Sequence, residues 1–348
     1  MGFQDDIQKV SELSLPWEKL YRSNILVLGA TGLIGSCIVN TLLAKRNADY
    51  QIFACGRDTT RAHSLFRKYR EDYRFHFIQH DVIKPLESSL DFHFIIHAAS
   101  DACPKSFVSV PVEVMKSNIY GVANILDYGK DHNLKRFMYI SSGEMYGQGD
   151  GRPFTEEYSG YVDHTSPRAC YPASKRAAEV LSLSYAAEYG IDITIARPCH
   201  VYGPCFSEKD NRVYAQFFRN LLHGEDIVLK SAGNQLRSWC YVADCVSAIF
   251  HILLKGTSGE AYNIADENSN ITIRELAEKI AALENKFVVL REPASEEKKG
   301  FNTVTESVLD TTKIRSLGWT IEGTIDMKLK NTYLELLSQR NNGNDSPK

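Results

Sequence analysis

Short apolar runs and helical-period segments take turns along the first half of the chain. Ile25 to Leu28, Gln51 to Cys55, Phe75 to Ile78, Phe92 to Ala99, Arg136 to Ser142 and Ile191 to Arg197 are strand-length runs rich in β-branched and aromatic residues. The run at Ile25 is continuously apolar, the pattern of a strand buried on both faces, and Phe92 to Ala99 is expected to be a further buried strand. Between the runs, Leu33, Ile34, Ile38, Val39, Leu42 and Leu43 recur at helical spacing, and Pro111 to Asp131 and Tyr171 to Tyr189 carry the same period. Strand and helix in alternation predict an α/β domain of the Rossmann type, a doubly wound parallel sheet. Residues 1–22 form an amphipathic lead-in whose Trp17 and Leu20 should pack on that domain.

Beyond Arg197 the rhythm changes. Cys205 to Arg212 is polar and loop-like, Asn211 to Gly224 is helical, and Ile227 to Lys230 and Ser238 to Val242 are short strands. Val242 to Leu254 is a helix, Tyr262 to Ile264 a strand, and Thr272 with Glu275 three residues on is a capping box for a further helix. The division predicted is a dinucleotide-binding lobe at 1–197, a smaller mixed α/β substrate lobe at 198–335 that interleaves with the first, and a C-terminal end at 336–348, flexible from about 341.

The turn after the first run carries the first chemistry. Gly29, Gly32 and Gly35 stand at a G-x-x-G-x-x-G spacing between strand and helix, with Thr31, Leu33 and Ile34 among them. In that context the first glycine makes a tight turn, the second admits a pyrophosphate to the backbone, and the third lets helix and strand pack closely. The helix N-terminus offers N–H groups and a positive dipole to the phosphates. An acidic residue about 20 positions on normally closes the second strand and holds the ribose diol. Here the sequence is Cys55-Gly56-Arg57-Asp58, so the acid is late and an arginine precedes it. Two alternatives follow: Asp58 reaches the ribose and the cofactor is NAD, or Arg57 meets a 2′-phosphate and it is NADP. Asp81, followed by Val82, contacts the adenine or caps the next turn. Ala98, Ala99 and Ser100 are small residues that let a cofactor lie on the backbone, whereas His97, in an apolar run, is expected to be a core histidine.

Tyr171 and Lys175 form a Tyr-x-x-x-Lys pair, on one face of a helix. A nearby ammonium lowers a phenol's pKa and makes it a base near neutral pH. Ser142 closes the preceding strand, placed to hydrogen-bond the same substrate hydroxyl. Cys170, beside Tyr171, is expected to pack rather than to attack.

Composition narrows the setting. The 348 residues fit two lobes, and 43% hydrophobic with 24% charged residues describe a globular protein. A net charge of −3 gives no nucleic-acid or membrane surface. The apolar runs fall short of the roughly 20 residues a bilayer span needs. The opening MGFQDDIQKV has no signal-peptide core, and Met1-Gly2 alone does not argue for myristoylation. The 8 cysteines are scattered without a C-x-x-C pair, which predicts reduced thiols in a cytoplasm and no metal site.

From about Trp17 to about Trp319 the chain resembles the extended short-chain dehydrogenase/reductase family, of the nucleotide-sugar epimerase/dehydratase type. The resemblance rests on GATGLIG, the HAAS segment at 97–100, Asn118, SSGEMYG at 141–147, YPASK, the RPxxVYGP pattern at 197–204, the segment Arg237 to Asp244, and Leu317 to Trp319. Within that family, Pro167 to Glu179 and Asp210 to Val213 look most like UDP-glucuronate decarboxylases. The resemblance implies that Asn118 lies in the cofactor site and that Tyr171 takes the proton from a sugar 4-hydroxyl as hydride leaves carbon 4. It implies that Lys175 holds the nicotinamide ribose and tunes Tyr171, and that Ser142 orients the hydroxyl. It implies a homodimer through helices around 111–131 and 172–189. The 4-keto intermediate then loses carbon dioxide, loses water through a base such as Glu144, or is reduced on its other face.

Three departures separate the chain from its relatives. The Thr-Ser-Glu triplet of the decarboxylases is Ser142-Gly143-Glu144, the Asp-Glu of dTDP-type dehydratases is missing its Asp, and His200 stands for an asparagine that contacts substrate. Glu144 is a base or an orienting group. Arg237 binds the diphosphate or a substrate carboxylate, or pairs with Asp244; Arg212 has a similar assignment. The function expected is UDP-glucuronate decarboxylase-like. The alternatives are a 4-epimerase or 4,6-dehydratase on a UDP-, CDP- or GDP-sugar, and, from another class, a nonenzymatic dinucleotide sensor.

Overall fold

In the computed structural model, residues 2–208, 210–292 and 304–344 are described. The chain opens with helix α1 (Phe3–Ser11) and enters strand β1 (Ser23–Leu28), every residue of which but Asn24 is buried. The units α2 (Leu33–Ala44), β2 (Tyr50–Gly56), α3 (Thr59–Leu65), β3 (Phe75–Gln79) and β4 (Phe94–His97) follow. Next come α4 (Pro104–Ser109), α5 (Pro111–Lys130), β5 (Arg136–Ile140), α6 (Cys170–Tyr189) and β6 (Ile193–Pro198). The strands pair in parallel because crossovers, helical in most cases and an irregular loop between β3 and β4, return the chain to the same end of the sheet. Pro stands in the first turn of both α4 and α5, where its missing N–H is harmless. Gly190 ends α6 in the left-handed conformation.

The second half holds β7 (His200–Tyr202), α7 (Val213–Leu222), β8 (Ile227–Leu229), β9 (Leu236–Tyr241), α8 (Val242–Lys255) and β10 (Ala261–Ile264). It continues with β11 (Asp266–Thr272), α9 (Ile273–Ala282), β12 (Val288–Leu290), β13 (Glu306–Ser307), α10 (Thr312–Arg315) and α11 (Ile325–Asn344). The central sheet has seven strands in the order β10-β6-β5-β4-β1-β2-β3, all parallel. β10 joins its edge beside β6, with Ala261 opposite Ile195. β10, which the sequence division assigns to 198–335, is a strand of the central sheet, and α8 packs against α2.

A four-stranded sheet of β11, β9, β13 and β7, and a two-stranded sheet of β8 and β12, make the smaller part. The capping box of α9 forms as its sequence predicts: Glu275 N donates to Thr272 Oγ1 at 3.1 Å and Thr272 N to Glu275 Oε2 at 2.7 Å. Trp17 stacks on Phe250 of α8 at 4.9 Å, and Leu20 is fully buried. Asp6 of α1 accepts from Tyr241 Oη at 3.0 Å and from Asn331 of α11 at 3.2 Å, which ties the lead-in to both β9 and the last helix. That last helix runs through Asn344, four residues into the segment expected to be flexible; 345–348 lie outside the described residues.

Candidate functional site

Strand order reverses between β1 and β4, and the crevice beyond their C-terminal ends is where an open α/β sheet takes ligands. The glycine turn fills one side of it. Gly29 has φ +72°, and a Cβ there would lie 2.6–2.7 Å from the backbone of Ala98 and Ala99. A Cβ on Gly35 would overlap the carbonyl of Gly29, so α2 can approach β1 only with glycine at that position. Gly32 is the N-cap of α2 and has no side-chain acceptor, which leaves the N–H groups of the first turn, at Leu33 and Ile34, facing the crevice. Thr31 lies beside Gly56 at the end of β2, and its carbonyl accepts from Arg61 Nε at 2.9 Å. Arg61 Nη2 also reaches the carbonyl of Cys205 at 3.1 Å, so one side chain braces the turn against the loop after β7. This close-packed backbone with open N–H groups fits the pyrophosphate of a dinucleotide such as NAD.

At the end of β2, Asp58 Oδ1 accepts from Arg61 N at 2.9 Å and so caps α3. Arg57 is exposed and stands 3.9 Å from Asp81, whose Oδ1 also accepts from Ile83 N at 3.3 Å. Both acids thus hold their own local turns. Val82 is buried against Gly121 of α5.

Asn118 is fully buried and links two segments. Ser100 Oγ donates to Asn118 Oδ1, and Asn118 Nδ2 donates to Ser174 Oγ, each at 2.8 Å. Ser174 Oγ continues to the carbonyl of Tyr171 at 3.1 Å. A relay of side chains therefore fixes the first turn of α6 against the loop after β4. His97 is fully buried, lacks a hydrogen-bond partner among the described residues, and is held neutral with its pKa pushed down to about 3 by burial and by Lys175. It belongs to the core, as its apolar run suggests.

Tyr171 and Lys175 stand one turn apart on α6, both buried. Lys175 Nζ donates to the carbonyl of Ile140 at 2.9 Å and lies over the ring of Tyr139 at 4.8 Å. Burial pulls the Lys175 ammonium down to about 7, against the opposing charge of Glu179. The expected lowering of the Tyr171 pKa by Lys175 is corrected here. In the chain alone burial pushes the phenol up to about 12, and the Glu144 charge adds to it. Hydrogen bonding to Ser142, the Arg212 charge and hydrogen bonding to Ser100 oppose the rise. Lys175 Nζ stands 5.7 Å from the centre of the Tyr171 ring, but burial, which weakens the ammonium as well, outweighs it at the phenol. Ser142 caps the short 3-10 turn Gly143–Tyr146, its Oγ accepting from Glu144 N at 3.2 Å.

The substrate side is made of charged side chains from distant segments. Glu144 Oε2 accepts from Arg168 Nη2 at 3.2 Å. Arg212 is clasped by Asp210, at 2.5 Å in the shorter contact, and donates to Tyr214 Oη at 3.0 Å. Arg237 is buried and donates to the carbonyls of Leu236, Thr305 and Val304 at 2.8, 3.1 and 2.6 Å. Burial lowers its pKa to about 10. Its pairing with Asp244 does not occur: Asp244 is 2.7 Å from Lys328 of α11, which leaves Arg237 held by main-chain carbonyls. His200 lies against Trp239 at 5.3 Å, and burial followed by the charges of Arg237 and Arg212 takes its pKa down to about 3.

Three residues of the site escaped the sequence reading. Arg168 lies inside the quoted Pro167–Glu179 segment and was passed over because its neighbours carried the motif. Phe107, whose ring stacks on Tyr171 at 4.7 Å, has no local signature. Arg61 is a plain helix residue whose role depends on a carbonyl far along the chain.

With this geometry in place, comparison with known proteins is informative. Residues 25–265 match the NAD dependent epimerase/dehydratase family. The chain is 35% identical to UDP-glucuronic acid decarboxylase 6 of Arabidopsis thaliana over 267 residues, 76% of either chain. Its structure is similar to that of the dTDP-glucose 4,6-dehydratase of Streptomyces venezuelae solved with NAD, with a TM-score of 0.80, 25% identity, and coverage of 92% of this chain and 98% of that one. It is similar also to the UDP-glucose 4-epimerase of Thermotoga maritima solved with UDP-glucose, with a TM-score of 0.78, 25% identity, and coverage of 91% and 99%.

Proposed function

The chain belongs to the NAD-dependent epimerase/dehydratase family, and we propose that it converts a nucleotide sugar as a UDP-glucuronate decarboxylase-like enzyme with NAD. The observation that carries this is the meeting of Ser142, Tyr171 and Lys175 beside the glycine turn, in a chain whose curated relatives are decarboxylases. When bound, NAD supplies the acceptor for a hydride from carbon 4 and gives it back at the end of the cycle. Leu33 and Ile34 N–H groups hold the pyrophosphate, and Ala98 and Ala99 line its path. Ser142 orients the sugar 4-hydroxyl toward Tyr171, which takes its proton; Lys175 holds the ribose. Arg237, anchored by three carbonyls, presents the rest of its guanidinium to the diphosphate.

The bond between carbons 5 and 6 of the resulting 4-keto uronate is then β to a ketone, and carbon dioxide leaves. A second reading, 4-epimerisation or 4,6-dehydration, is favoured by the likeness to the two solved enzymes above. Glu144 would be the base in the dehydratase case. Mass spectrometry decides between them, with purified protein, NAD or NADP, and a panel of UDP-, CDP- and GDP-sugars. Loss of carbon dioxide from UDP-glucuronate is expected; loss of water, or an unchanged mass with altered retention, would transfer the enzyme to the second reading. No turnover on any sugar with cofactor bound would favour a dinucleotide sensor.

The exposed Arg57 keeps NADP open alongside NAD, and titration with both distinguishes them. A homodimer through α5 and α6 is supported by Val112, Met115, Tyr120, Val180, Leu183 and Tyr189, exposed apolar residues on these two helices. Light scattering that returned a monomer would overturn it. A cytoplasmic setting is supported by the cysteines, which form no disulfide among the described residues. No helix among those residues is long and apolar enough to cross a membrane.

A further inference from the structure

Of the arginines around the substrate side, two are matched and one is not. Arg212 is clasped by both oxygens of Asp210 and by Tyr214. Arg237 is bonded to three carbonyls. Arg168 has one bond, to Glu144 at 3.2 Å, and its buried Nε meets no acceptor among the described residues. A buried donor left unmatched is unfavourable, and it is a place for an acceptor the chain does not provide.

The position of this guanidinium is set by two stacked rings. Its carbon lies 4.7 Å over Phe107, and Phe107 lies 4.7 Å from the ring of Tyr171 with 21° between planes. Glu144 is close enough to Tyr171 to raise its pKa more than any other charge. Arg168 is thus joined to Glu144 by a hydrogen bond and to Tyr171 through the ring of Phe107. In a pyranose whose 4-hydroxyl meets Tyr171, carbon 5 is the next atom of the ring and carbon 6 its substituent. The carbon 6 group therefore comes within a few bonds of the phenol, where the charge of Glu144, the partner of Arg168, is felt. Glu144 alone would repel a carboxylate there. Arg168, a planar donor with hydrogen-bonding capacity in reserve, can hold two carboxylates at once.

We propose that Arg168 binds the carbon 6 carboxylate of the substrate and so selects a nucleotide-linked uronate over the neutral hexose. The proposal rests on the decarboxylase reading above and deepens it. It also gives the arginine a part in the release of product. Once carbon 4 is a ketone, the bond between carbons 5 and 6 breaks and carbon dioxide departs. The electron pair of that bond passes to the carbon 4 carbonyl oxygen, and the enolate takes a proton from Tyr171. The negative charge has then left Arg168, and Glu144 stays as its counter-ion. A guanidinium without that partner would be stranded and would favour retaining the carboxylate.

The test is calorimetric binding of UDP-glucuronate, UDP-glucose and UDP to the full NAD-loaded chain and its Arg168→Gln and Arg168→Lys variants. Arg168→Gln should weaken UDP-glucuronate roughly ten- to a hundredfold, from the strength of a hydrogen bond to a charged group. UDP, which lacks the glucuronosyl group, should change less than about twofold, and Arg168→Lys should recover part of the loss. Equal loss for UDP-glucuronate and UDP would make Arg168 structural and overturn the proposal. So would no loss at all, or a wild-type chain that holds UDP-glucose as tightly as UDP-glucuronate. A wild-type chain that neither binds nor decarboxylates UDP-glucuronate would instead refute the decarboxylase reading, and the role of Arg168 with it.

Discussion

In the reading proposed above, the cofactor side and the substrate side of the crevice are built from different material. The cofactor side is backbone: the left-handed Gly29, the missing Cβ of Gly35 and the open N–H groups of α2. The substrate side is charged side chains: Glu144, Arg168, Arg212 and Arg237, from four separate stretches of chain. A backbone site needs its residues consecutive, and its shape fails if any one of them gains an atom. A side-chain site needs only that distant elements meet, and each member can be exchanged at a local cost.

The sharpest way to break this comparison is to remove one atom from the substrate side. Tyr171→Phe should lower kcat by about a thousandfold, within the range for a lost general base, while urea denaturation moves by less than about 1 kcal/mol. A large loss of stability would place Tyr171 among the structural residues instead. Adding atoms to the cofactor side should do the reverse. Gly35→Val forces a side chain into the Gly29 carbonyl and should cost about 3 kcal/mol of stability, with NAD affinity lost in the protein that folds. If the variant binds NAD with unchanged affinity and stability, the close packing of α2 on the turn is not what the site depends on.

Lys175 spans the two sides, and its effect is smaller and depends on pH. Its pKa is near 7 in the folded chain and near ~10.4 in an unfolded one, so between these values the unfolded chain binds more protons and stability rises with pH. At pH 6 both states are protonated and the full penalty of the buried ammonium is present. Lys175→Met should therefore raise Tm by roughly 2–5 °C at pH 6, and the gain should shrink by pH 9. A gain that grows with pH would contradict the assignment. Activity should fall at every pH, because the ribose loses its partner.

The same contrast decides how much the sequence revealed. GATGLIG after an apolar run announced the turn, the strand before it and the helix after it, and every strand of the central sheet was visible as a run. β11 was missed because DENSNIT is polar and lacks an apolar alternation; it pairs with β9 in an antiparallel register broken by a shift between Asp266 and Asn270. β7 and β13 are two or three residues long and carry no period. The Tyr171–Lys175 pair was legible from spacing, but its electrostatics were not. Burial and Glu144 dominate the phenol, and burial of Lys175 follows from β5, which no spacing rule reports. Of the alternatives for Arg237, pairing with Asp244 does not occur; within the chain its partners are carbonyls, groups that every residue has and that no sequence pattern marks.

The late arrival of β10 bears on how this protein is made. A ribosome delivers β6 well before Ala261, and until then the flank of β6 opposite β5 has no neighbour. Translation halted at 197 would yield a nascent chain with a bare, apolar strand edge, a template for pairing with other chains. A fragment ending at 197 would lack β10, the edge neighbour of β6 in the central sheet. The sheet's boundary in space is drawn by residues that the boundary in sequence assigns elsewhere.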